Sequence, residues 1–174
     1  MRVERTFAFV DLCGFTRFTD THGDEEAVAV LTRFRTLVRE IASEHGVRVA
    51  KWLGDGAMFV STEPTSLIET ILTLARRAED PVMLPLRAGL AGGAVILFEG
   101  DDYIGGPVNL ASRLCDSASP NEMLASAELV EYVPARADVQ PVGFRAVPGF
   151  ASHVEVVCIE PRVDATPLPA ALHR

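Results

Sequence analysis

The stretch Asp102-Tyr-Ile-Gly-Gly-Pro-Val-Asn109-Leu-Ala-Ser-Arg113 carries the densest chemistry in the chain. Gly105-Gly106-Pro107 predicts a turn into a helix that begins at Pro107, because proline's fixed φ suits a first helical position and its missing N–H costs nothing there. On that helix Asn109 and Arg113 stand one turn apart on the same face. Leu110, Ala111, Leu114 and Ala118 form the other face, which can pack on a core. An Asn beside an Arg offers several donors and one permanent positive charge, which suits phosphate or developing negative charge. Taken alone, such a pair reads as a solvated helix face, and the rest of the chain decides.

Working outward, Thr6-Phe-Ala-Phe-Val10 is an apolar run that stops at Asp11, as in a strand buried on both faces with an acid at its carboxyl end. Leu12 to Thr16 predicts a glycine-containing turn into a short helix. Gly23-Asp24 offers a cap for a longer helix, whose apolar positions run from Ala27 through Val30, Leu31, Phe34, Leu37 and Val38 to Ile41, with Gly46 as terminator. Val47–Trp52 and Ala57–Val60 read as strands flanking the tight turn Leu53-Gly-Asp55-Gly56. Thr62 is the expected cap of the next helix, with Pro64 in its first turn. Leu86–Leu90 and Ala94–Phe98 read as two strands separated by Gly92-Gly93. After the Asn109 helix come a strand at Met123–Ala125, a short helix through Leu129 and Val130, and closing strands at Val139–Phe144 and Val154–Ile159. This order predicts an α+β fold, a mixed and mainly antiparallel sheet packed with helices. Residues 1–161 form the expected domain, and 162–174 an expected loose tail.

Composition narrows the function. A chain of 174 residues with 48% apolar and 23% charged residues can bury a full core as one domain. A net charge of −8 leaves no footprint for nucleic acid or for an anionic membrane. A bound polyanion would need metal ions or a few placed cations. Cys13, Cys115 and Cys158 are an odd count without metal-ligand spacing and read as reduced thiols, mostly buried, in a cytoplasmic protein. No signal peptide or membrane span is expected. His22, His45, His153 and His173 fall outside every motif and read as surface residues.

Two acids lack a packing role: Asp11 at a strand end and Asp55 at the tip of a hairpin. If their strands are neighbours, the carboxylates converge at one edge of the sheet. Such a pair suits Mg²⁺, which takes few protein oxygens and fills its remaining places from phosphates. Two ions roughly 3.5–4 Å apart can stabilise both the attacking and the leaving oxygen of phosphoryl chemistry. A helix cap for Asp11 and an ordinary turn for Asp55 are the structural alternatives.

Three stretches, read together and in order, resemble the class III nucleotide cyclase catalytic domain, shared by adenylyl and guanylyl cyclases: Phe9-Val-Asp11-Leu-Cys-Gly-Phe-Thr16, Lys51-Trp-Leu-Gly-Asp55-Gly and Asp102 to Arg113. The resemblance implies a ferredoxin-like or palm-like core. It also implies two Mg²⁺ or Mn²⁺ ions per site at Asp11, Leu12 and Asp55, and substrate contacts at Phe15 and Thr16. Lys51 and Asp102 match the adenine readers, an ammonium for ring N1 and a carboxylate for the N6 amine; guanine offers the reverse pattern, so ATP is the expected substrate. Asn109 matches the residue that orients the ribose, and Arg113 the one that stabilises charge on the α-phosphate. The reaction implied is intramolecular attack of the ribose 3′-hydroxyl on the α-phosphorus, releasing pyrophosphate. In the family, metal residues come from one subunit and the other groups from its partner, so a homodimer would hold two complete sites. Pro148 stands where many relatives carry a triphosphate lysine, and Arg145 is the candidate substitute. Ala91 stands where a histidine is common. A guanylate cyclase and an inactive dimerising or nucleotide-sensing module are the competing expectations.

Overall fold

The computed structural model describes residues 1–163, so the expected tail beyond that point, and His173 with it, lie outside the described residues. The architecture grows from β1 (Arg2–Leu12), whose alternation sorts the core. Ala8, Val10 and Leu12 are buried on one face and Phe7 on the other. β1 pairs antiparallel with β3 (Gly56–Ser61) on one side and with β4 (Leu86–Phe98) on the other, which explains its nearly continuous apolar sequence. β2 (Arg48–Leu53), β6 (Met123–Ser126), β7 (Ala137–Arg145) and β8 (Val154–Pro161) complete the order β2-β3-β1-β4-β6-β8-β7, while β5 (Asp102–Ile104) pairs with the outer end of β4. Among the described residues only β4 and β6 run parallel, and the other pairings are antiparallel. The α+β expectation therefore holds, and β2-β3-β1-β4 is the split βαβ order of a ferredoxin-like core.

α1 (Phe15–His22), α2 (Asp24–Glu44) and α3 (Pro64–Arg77) cover one face, where Phe34, Val38, Ile41, Leu67 and Ile71 close over Ala8, Val10 and Leu12. α4 (Gly106–Ser117) covers the other face, setting Leu110, Ala111 and Leu114 on Phe7, Ala91 and Leu124. Each large apolar side chain so buried contributes about 1.5–3 kcal/mol. Gly89 in β4 lets the α4 backbone approach directly: a Cβ there would sit 2.2 Å from the Ala111 carbonyl oxygen.

Several boundaries differ from the sequence reading. Leu86 to Phe98 is a single strand, because Gly92-Gly93 makes room rather than a break: a Cβ on Gly92 would meet Leu129 and Thr6 at 3.2 and 3.3 Å. Asp102 belongs to β5, which makes a hairpin with the end of β4. Thr62 is not the cap of α3; Glu63 holds that position, and its N–H is met by Ser61 Oγ at 3.0 Å. α2 begins at Asp24, before its apolar periodicity, since Asp24, Glu25 and Glu26 favour a helix N-terminus. The segment Ala127–Tyr132 is a 3₁₀ helix. His45 is half-buried, 3.3 Å from Thr73 Oγ1, and not a surface residue.

Candidate active site

The chemistry gathers on the α4 face at one end of β1. Phe7 points to that face and, by alternation, so does Asp11. Opposite Asp11 in register lie Gly56 on β3 and Arg87 on β4. Arg87 donates to Asp11 Oδ2 from Nε at 3.2 Å and from Nη2 at 2.9 Å. Its Nη1 donates to the Asp116 carbonyl at 2.8 Å, so one guanidinium links Asp11 to the end of α4. The Leu12 N–H donates to the Asp55 carbonyl at 3.1 Å and ties the hairpin turn to β1. The Asp55 carboxyl is consequently raised from its ordinary value, first by burial and then by the negative charge of Asp11, with Arg87 pulling the other way. The expected convergence of Asp11 and Asp55 is present.

Lys51 reaches the same face through a bulge between Val49 and Lys51, which restores Lys51 to the side of Met58. Its ammonium pairs with the Asp102 carboxylate, and Arg48 Nη2 pairs with Asp101 at 2.8 Å. These pairs, together with Tyr103 edge-on to Phe7 at 5.3 Å, hold the β4–β5 hairpin over the sheet. The Lys51 and Asp102 side chains remain 48% and 51% exposed, so a ligand can compete for both.

Asn109 and Arg113 are exposed on α4, and Arg113 lies 4.0 Å from Asp116. Arg113 and Arg145 line one groove of about 280 Å³ with Ser117, Ser119 and Pro148. Among the described residues, no hydrogen bond or ion pair joins Asn109 or Arg113 to the two carboxylates. Phe15 and Thr16 open α1, whose first N–H groups have no side-chain cap. The Phe15 ring packs toward the core, and the Leu12 side chain is buried, which leaves main-chain groups as what those two residues offer a ligand. Cys115 and Cys158 are buried free thiols, whereas Cys13 is only half-buried beside the carboxylates.

The residue that the sequence analysis missed is Arg87. Its signal was a single arginine in the apolar run of β4, which a strand buried on both sides tolerates only against an acid. The donor set suits a hard divalent cation: two carboxylates, one of them raised by burial and then by the other, with main-chain oxygens at the end of β1. Among the described residues no group of three or more His, Cys, Asp or Glu is placed to hold a metal ion.

No protein-family model matches the chain. It is 35% identical to a pH-sensitive adenylate cyclase of Mycobacterium tuberculosis over 122 residues, covering 70% of this chain and 30% of that protein. The chain thus spans about a third of the length of the curated relatives it matches. Among solved structures, the adenylyl cyclase CyaB from P. aeruginosa superposes with a TM-score of 0.79 at 25% identity, covering 96% of this chain and 97% of that one. The guanylate cyclase domain of RhGC from Catenaria anguillulae, solved in complex with GTP, gives 0.82 at 19% identity over 94% and 100% of the two chains. With this sheet order, the paired aspartates on β1 and its neighbouring hairpin, and these relatives, the chain belongs to the class III adenylyl/guanylyl cyclase catalytic-domain family.

Proposed function

We propose that this domain converts ATP to 3′,5′-cyclic AMP and pyrophosphate, at two sites shared across a homodimer. One observation carries the reading: the Asp11–Asp55 carboxylates and the Lys51–Asp102 pair lie on the same face of the sheet. Asp11, Asp55 and the Leu12 main chain would hold two Mg²⁺ or Mn²⁺ ions. When bound, such ions neutralise phosphate charge and favour the 3′-hydroxyl as nucleophile.

The remaining work belongs to side chains and backbone. Lys51 donates to adenine N1, and Asp102 accepts from the N6 amine. Both residues give up their mutual ion pair to do so, a modest loss because each is about half exposed. The N-terminus of α1 at Phe15 and Thr16 presents main-chain donors to phosphate. Asn109 orients the ribose, and Arg113 stabilises the α-phosphate as charge builds during in-line attack. Arg145, on the same groove as Arg113, takes the place of the lysine that Pro148 displaces. Arg87 keeps Asp11 oriented by two hydrogen bonds.

A single ordered chain offers Asn109 and Arg113 to solvent rather than to its own carboxylates, which favours a second copy as the completing half. No described helix is long and apolar enough to cross a membrane. The three free thiols accord with a reducing, cytoplasmic setting.

A guanylate cyclase needs the opposite polarity at the base, an acceptor near Lys51 and a donor near Asp102. Incubating the protein with equal ATP and GTP in Mn²⁺ or Mg²⁺ and separating the products tests the reading. Cyclic AMP as the main product supports it. Cyclic GMP as the main product, or no cyclic nucleotide from folded dimer, contradicts it.

A further inference from the structure

One contact of α2 reaches the turn that carries Asp55. Arg35 and Arg39 stand one helical turn apart, and both lay their guanidinium over the Trp52 ring, at 5.1 and 5.0 Å from its centroid. Only Arg35 goes further: its Nη2 donates to the Gly54 carbonyl at 3.3 Å. Gly54 takes φ 64°, a left-handed conformation, immediately before Asp55. The turn is therefore held at two points, by Arg35 at Gly54 and by the Leu12 N–H at the Asp55 carbonyl. Arg35 Nε is buried without a hydrogen-bond partner among the described residues. That unmet donor carries a cost, so the ring and the Gly54 carbonyl are what retain the guanidinium there.

We propose that Arg35 is a positioning residue for metal binding. Seated on Trp52, it fixes the Gly54–Asp55 turn so that the Asp55 carboxyl stays directed at Asp11, and it thereby raises the affinity of the carboxylate pair for a divalent cation. The inference rests on the reading of Asp11 and Asp55 as metal ligands. A carboxylate on a free turn must be ordered each time an ion is bound, and that ordering weakens the complex. Groups that orient metal ligands directly typically change affinity about 10–100-fold. Arg35 acts through the main chain, so a smaller effect, about three- to tenfold, is expected. Arg39 shares the ring but not the carbonyl and supplies an internal control.

The test is Mn²⁺ binding to the nucleotide-free protein, followed by the electron paramagnetic resonance signal of free Mn²⁺. A parallel Mg²⁺ titration reads Trp52 fluorescence, which is specific because Trp52 is the only tryptophan in the sequence. Arg35→Met should weaken Mn²⁺ binding about three- to tenfold, while Arg39→Met stays within about twofold of the parent. Arg35→Lys keeps the cation but not the fork and should fall between them; it carries the test if Arg35→Met fails to fold by circular dichroism. Parental Mn²⁺ affinity in a folded Arg35→Met, or equal weakening by both Met variants, would overturn the role of Arg35 alone. Absence of Mn²⁺ binding in the parent, or binding unchanged in Asp55→Asn, would overturn the metal-site reading and this inference with it.

Discussion

At the scale of single residues, Asp55 sets a trade between stability and chemistry. Burial and the Asp11 charge raise its carboxyl above the ordinary 3.8, so the folded metal-free protein holds that proton more tightly than the unfolded chain does. The contribution is stabilising below the unfolded value and is lost as pH rises through the raised folded value. At neutral pH the two carboxylates therefore carry a repulsion that Arg87 only partly offsets. Asp55→Asn removes it. In a chelator at neutral pH the variant should melt above the parent, and the gap should close on acidification. Mn²⁺ should raise the parent's Tm and leave the variant's unchanged. A variant that melts below the parent at neutral pH would contradict this account of the carboxylate pair.

At the scale of elements, α4 works because β4 lets it lie flat. A Cβ on Gly89 would sit 2.2 Å from both the Ala111 carbonyl oxygen and the Cys115 nitrogen, backbone atoms that cannot step aside. Gly89→Ala should cost about 2–3 kcal/mol, lowering Tm by about 4–10 °C. Activity measured well below that Tm should fall further than the unfolded fraction explains, because the displaced helix carries Asn109 and Arg113. Loss of stability without that extra loss of activity would mean that the seating of α4 does not matter to the site.

What could be read in advance follows the same division. α4, the β2–β3 hairpin and the Asp11 strand end were legible because glycine, proline and periodicity act locally. Gly92-Gly93 misled because close packing and a chain break leave the same mark in a sequence. β5 has three residues and no period of its own; its pairing with β4 defines it. Arg87 stayed hidden because its meaning is a register, Asp11 opposite Arg87, across 76 positions of chain. The bulge that turns Lys51 to the site face is equally a property of two strands together.

At the scale of the whole molecule, the β4–β5 hairpin exposes an apolar cross-strand pair, Ile96 at 50% and Ile104 at 54%, close to Asp102. Exposed apolar residues beside Asp102, the proposed adenine reader, suit a face that a second copy covers. The most direct measurement of the shared-site proposal is subunit complementation, with Asp55→Ala and Arg113→Ala each purified, shown to be folded, and assayed for cyclic AMP. Each homodimer should be nearly inactive, since every site lacks one essential group. Mixed in equal amounts and allowed to exchange, roughly half the dimers become heterodimers with one intact site of two, and activity should return to roughly a quarter of the parent's. No recovery, in a mixture whose subunit exchange is demonstrated separately, would contradict sites split between two copies.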